Sequence, residues 1–146
     1  MLALAVLAAG VLAWWWLTRE PAPPPHPLAN IEATDFVAVE TLSPDGAQQL
    51  QGDRLRRAAA AIASLKAAPR IDSRSVTWGS ATMLRATTAD GIAVSLQVKP
   101  IAGGAAVRVT ADPVGKTARP DAAAIRTLRL NAYKLGPDAA SILLQP

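Results

Sequence analysis

The chain's single histidine, His26, stands inside a proline run, Pro21 to Pro27 (PAPPPHP). No carboxylate or second ligand type lies close to it in sequence. It therefore reads as a solvated linker residue, with no nucleophile to activate. Cysteine is absent, which excludes thiolate nucleophiles, Cys-ligated metals and disulfide staples. Asp35, Asp45, Asp53, Asp72, Asp90, Asp112, Asp121 and Asp138 fall mostly at turn and cap positions, where Asp has structural work to do. Gly103-Gly104 resembles half of a phosphate loop. No Lys-Ser/Thr pair and helix follow it, so it reads as a hairpin turn. The sequence offers no catalytic, cofactor-binding or metal-binding constellation, and the expectation is a protein that is not an enzyme.

What remains is binding chemistry. Arg54, Arg56 and Arg57 form the densest basic cluster. The net charge is +4 and the calculated isoelectric point about 10.1, but the other basic residues are scattered. Outside the N-terminal run only Trp78 and Tyr133 could stack on bases, so nucleic acid is not an expected partner. The three arginines read first as a solvated helix face and second as a partner contact. Arg108 joins them as a second contact candidate, on the wet side of a strand.

The N-terminus points to a membrane. Met1 to Leu17 (MLALAVLAAGVLAWWWL) carries no charged or strongly polar side chain. About 17 residues at ~1.5 Å each reach ~26 Å, against a hydrocarbon core of ~30 Å. Thr18 extends the run a little, so a slightly short spanning helix is expected. Trp14, Trp15 and Trp16 crowd its C-terminal end, where amphipathic rings favour the headgroup level, and they are the candidate membrane-interface residues. The sequence Trp-Trp-Trp-Leu-Thr-Arg-Glu-Pro there does not suit a signal peptidase. An uncleaved signal-anchor is expected, in a bacterial inner membrane, with a lipid bilayer as one partner and the soluble domain in the periplasm. The run lacks a basic flank before it, so charge fixes the orientation poorly. The proline run, five of the chain's 12 prolines, favours an extended semi-rigid spacer.

From Leu28 onward the pattern becomes strands and helices. Phe36 to Leu42 is rich in β-formers, Ser43-Pro44-Asp45-Gly46 suits a tight turn, and Ala47 to Gln51 returns as a polar edge strand. Asp53 offers an N-cap to a helix whose stripe is Leu55, Ala58, Ala59, Ile62 and Leu65, ending before Pro69. Val76-Thr77-Trp78 and Thr82 to Thr88 read as strands, with a hairpin at Ala89-Asp90-Gly91. Ile92, Val94, Leu96 and Val98 share one face of the next strand, and Val107 and Val109 point inward from the one after it. Arg108 and Thr110 face the other way. A second helix is expected from Pro120-Asp121, with Ala122, Ile125, Leu128, Ala132 and Leu135 as its apolar stripe and Arg126 and Arg129 beside it, stopped by Gly136-Pro137. Asp138 to Leu144 reads as an apolar tail packing back on the domain. The resulting expectation is an α+β chain: a transmembrane anchor over 1–18, a Pro-rich linker over 19–30, and an extramembrane domain over 31–146. In that domain a small antiparallel sheet packs with two helices.

The second half resembles a known family. Thr88-Ala89-Asp90-Gly91-Ile92, two strands, an Ala-rich stretch ending Asn131-Ala132-Tyr133-Lys134-Leu135, and Asp138 to Leu144 are similar to a bacterial domain of unknown function. Its members are membrane-anchored auxiliary proteins encoded beside gliding-motility-type ABC transporters. The likeness covers roughly residues 50 to 144, and this chain has Asn131 where the family usually has Trp. The resemblance implies no catalytic residues, only a location and a partnership with a membrane protein complex such as ABC transporter components. The expected function is a non-catalytic, single-pass accessory protein that binds or scaffolds a transporter or envelope complex. The alternatives are a structural subunit of a respiratory or photosynthetic assembly and, more distantly, a small periplasmic enzyme.

Overall fold

A computed structural model of the chain describes residues 2–18, 26–113 and 132–146. Helix α1 (Leu2–Leu17) is followed by strands β1 (Phe36–Ser43) and β2 (Gly46–Gln49), helix α2 (Gly52–Ala63), strands β3 (Thr82–Thr88), β4 (Ile92–Ile101), β5 (Gly104–Pro113) and β6 (Ala132–Leu135), and helix α3 (Pro137–Leu144). The six strands make one antiparallel sheet in the order β2-β1-β3-β4-β5-β6.

The structure corrects the membrane-spanning expectation. Helix α1 has 16 residues, about 24 Å at ~1.5 Å per residue. No helix among the described residues is long and apolar enough to cross a membrane. The apolar run is real, but its helical length falls short of the hydrocarbon core. The single-pass and signal-anchor readings fall with it. The last turn of α1 is closed by Thr18, whose hydroxyl and N–H donate to the Trp14 carbonyl at 2.8 Å and 3.0 Å.

Strands β3, β4 and β5 form the centre because their sequences alternate cleanly. Leu84 and Ala86, Val94, Leu96 and Val98, and Val107 and Val109 are all fully buried on one face. Register aligns Leu84, Leu96 and Val109 in one row. Helix α2 lies on that face through Ala58, Ala59, Ala61 and Ile62, followed by Leu65 in a 3-10 turn (Ser64–Ala67). Small alanines let the helix approach the sheet closely. Leu55 is only half-buried, and Arg54, Arg56 and Arg57 face solvent. Asp53 sits in the first turn rather than at the cap, which Gln51 occupies; its charge still suits the positive end of the helix. Helix α3 starts with Pro137 and buries Ala140 and Leu143 on the same face. The result is a two-layer α+β unit with one open sheet face.

Two further expectations change. Ala132 to Leu135 is not the end of a helix but strand β6, pairing Ala105 with Leu135 and Val107 with Tyr133. The rest of that expected helix, with Ala122, Ile125, Arg126, Leu128 and Arg129, lies outside the described residues. Val76-Thr77-Trp78 is not a strand either. After α2 the chain runs along the free side of β6, where Arg70 bridges to Tyr133, Ile71 N–H donates to the Ala132 carbonyl at 2.9 Å and Lys134 N–H to the Pro69 carbonyl at 3.0 Å. It then passes over the open sheet face before entering β3.

The Asp90-Gly91 hairpin forms as read. Gly91 has φ +87°, and a Cβ there would meet nothing within 4 Å. Gly91→Val therefore pays for backbone strain alone, and an expected loss of about 1–3 kcal/mol should appear in the denaturant midpoint. An unchanged midpoint would show that this turn tolerates any residue.

Candidate functional site

The open face of the sheet carries the side chains that alternate with the core. Met83, Gln97 and Arg108 stand in one register row, and Glu40, Arg85, Ser95 and Thr110 in the next. Met83, Ser95, Leu96, Gln97, Arg108 and Thr110 line a shallow cleft of about 220 Å³.

A short covering segment borders this cleft and holds Trp78 in place. Asp72 caps a 3-10 turn (Ser73–Ser75) by accepting from the Arg74 N–H at 2.9 Å. The Arg74 guanidinium grips the same carboxylate, with Nη2 to Oδ2 at 2.9 Å, and holds the Asp72 carboxyl below its usual range. The Trp78 indole N–H donates to the Ser73 carbonyl at 2.7 Å. Lys99, from the open face of β4, donates to the Gly79 carbonyl at 2.5 Å. The indole ring is thereby laid over Arg108, whose guanidinium carbon lies 4.3 Å from the ring centroid. Arg108 also donates to Gln97 Oε1 at 3.5 Å. A half-buried guanidinium stacked on a fixed Trp is worth on the order of 0.5–2 kcal/mol, and it presents a rigid cationic edge to the cleft.

The structure does not bring the four contact arginines together. Arg54 and Arg57 line a smaller cleft of about 180 Å³ with Ile142, Gln145 and Pro146, and Arg56 pairs with Asp53 one turn away. These three lie on the outer side of α2, across the sheet from Arg108. Trp14 and Trp16 are 73% and 74% exposed, so α1 presents bare aromatic surface.

Sequence reasoning placed His26 in solvent, and the structure does not. Its Nδ1 accepts from the Leu28 N–H at 3.0 Å, and its Nε2 donates to the Leu65 carbonyl at 3.0 Å. The ring leans on Tyr133, with centroids 4.5 Å apart and planes at 41°. Both ring nitrogens are engaged within the fold: the Nδ1 lone pair accepts from the Leu28 N–H and the Nε2 hydrogen goes to the Leu65 carbonyl. Trp78 was missed as the partner of Arg108, because nothing local in the sequence links β5 to the segment before β3. Among the described residues, no three His, Asp or Glu side chains gather as metal ligands. The arrangement can stack on, and hydrogen-bond to, a partner. Compared with protein-family models, with curated proteins and with solved structures, the chain matches none.

Proposed function

We propose that this chain is a non-catalytic binding or scaffolding protein that serves as an accessory subunit of a membrane transporter or envelope complex. The observation that carries the binding half is the Trp78–Arg108 edge beside the cleft on the open sheet face. Trp and Arg are the residue types that most often anchor interfaces, and here both are held before any partner arrives, which lowers the ordering cost of association. The kind of partner rests on the resemblance of residues 50 to 144 alone.

Tagged full-length chain, recovered from its own cells, tests the reading. Transporter ATPase and permease subunits should come with the wild type. Arg108→Glu combined with Trp78→Ala should cut their recovery about tenfold or more, the scale of losing one interface anchor. Reversing Arg54, Arg56 and Arg57 should leave the fold intact, since they lie off the buried stripe of α2. Equal recovery with the Arg108/Trp78 variant would remove the open face as the contact. Substrate turnover by the purified chain, abolished by Asp90→Ala without unfolding, would overturn the non-catalytic reading itself.

A further inference from the structure

We propose that His26 is a proton-operated clasp, which fastens the start of the folded unit to the end of α2 and to β6 while neutral and releases it on protonation.

The geometry leaves one tautomer. Nδ1 faces a backbone N–H, that of Leu28, so it has to be the bare nitrogen; Nε2 faces the Leu65 carbonyl, so it has to carry the hydrogen. Adding the second proton turns Nδ1 into a donor aimed at a donor at 3.0 Å, and that contact has to open. The residues held by it are few and local. The turn over Pro27–Asn30 is closed by Ala29 N–H on the His26 carbonyl and Ile31 N–H on the Leu28 carbonyl, each at 3.0 Å. Leu28 is fully buried beneath it.

The charged and titratable groups around the ring all belong to the elements it touches. Lys66 follows Leu65 in the 3-10 turn, Arg70 lies on the bridge to β6, and Tyr133 supplies the stacked ring. Glu32 binds Lys66 at 2.8 Å and moderates its charge. Arg70 sits over the Tyr133 ring at 5.9 Å. Burial holds the His26 imidazole below its ordinary value of 6.5; the Leu65 carbonyl pulls the other way, and the Arg70 and Lys66 charges add to the lowering. The sign follows from this. The unfolded chain takes up the proton more readily than the folded one, so the clasp contributes fully above pH 6.5 and is lost as pH falls below 6.5 through the folded value.

The experiment uses the full chain, whose one histidine makes the imidazole signals self-assigned. Imidazole NMR should show the Nε2–H tautomer at pH 7.5 and a titration midpoint below 6.5. Across that midpoint the Leu28, Ala29 and Ile31 amides should exchange at least about tenfold faster after correction for intrinsic pH dependence, while the Leu96 amide keeps its protection. His26→Phe keeps a ring against Tyr133 without either polar contact, and its Leu28 amide should exchange fast at both pH values. A midpoint at or above 6.5 overturns the proposal, as does Leu28 protection that ignores the titration or persists with wild-type pH dependence in His26→Phe. If that variant does not fold, the wild-type titration and exchange decide alone.

Discussion

Gly104→Ala should unfold this protein more readily than the same change at its neighbour. Gly104 opens β5 with φ +150°, and a Cβ built on it would lie 1.9 Å from the Leu135 carbonyl oxygen, 3.0 Å from the Leu135 carbonyl carbon and 3.2 Å from the Gly136 carbonyl carbon. All three are backbone atoms of β6 and the turn after it, so no side chain can swing away. The strand itself must shift, and with it the pairs Ala105–Leu135 and Val107–Tyr133. The expected loss exceeds about 3 kcal/mol, the range reserved for backbone clash added to strain. Gly103 has φ +77° and only the far end of Lys134 at 4.0 Å, so Gly103→Ala should cost about 1–2 kcal/mol. Denaturant midpoints of the two variants measure the difference, and equal losses would show that β6 does not pack so closely.

Tyr133→Ala should be comparably severe, at about 3–5 kcal/mol, because it empties the largest fully buried side-chain site and removes the surface on which His26 leans. Tyr133→Phe should move stability by less than about 1 kcal/mol in either direction. The hydroxyl is buried without a hydrogen-bond partner of normal geometry, so its removal forfeits little. Burial also pushes the Tyr133 phenol above its ordinary value of 10.0, with the Arg70 charge offsetting part of the rise. Thermal unfolding of both variants checks the contrast. A Phe variant as damaged as the Ala variant would mean that the hydroxyl, not the ring, holds β6.

The central meander was legible because its signals are local. Asp90-Gly91 requires a turn that Gly can make, and the alternation through Val94, Leu96, Val98, Val107 and Val109 states which face is buried. Helix α2 was legible for the same reason, in the spacing of Ala58, Ala59, Ile62 and Leu65. Strand β6 was not. Ala132, Lys134 and Leu135 are good helix formers, and only pairing with β5 makes them extended, a tertiary choice that overrides propensity. His26 and Trp78 failed for a related reason. Their meaning lies in Leu65, Tyr133 and Arg108, distant along the chain, and a proline-rich or loop-like neighbourhood says nothing about such partners. At the N-terminus hydropathy was plain, but among the described residues no helix is long and apolar enough to cross a membrane.

The two borders of the sheet are guarded unequally. Along β6 the outward amide of Lys134 and the outward carbonyl of Ala132 are already satisfied by Pro69 and Ile71. Strand β2 has β1 on one side, and its residues Gly46, Ala47, Gln48 and Gln49 are all exposed and uncharged. No lysine or proline blunts it, and its brevity is its chief protection. Of the two outermost strands, β2 is the one that a strand from another molecule can pair with. Crowded or partly unfolded material should therefore aggregate edge-first from β2, and a single lysine placed at Gln48 would be the economical way to keep the protein monodisperse.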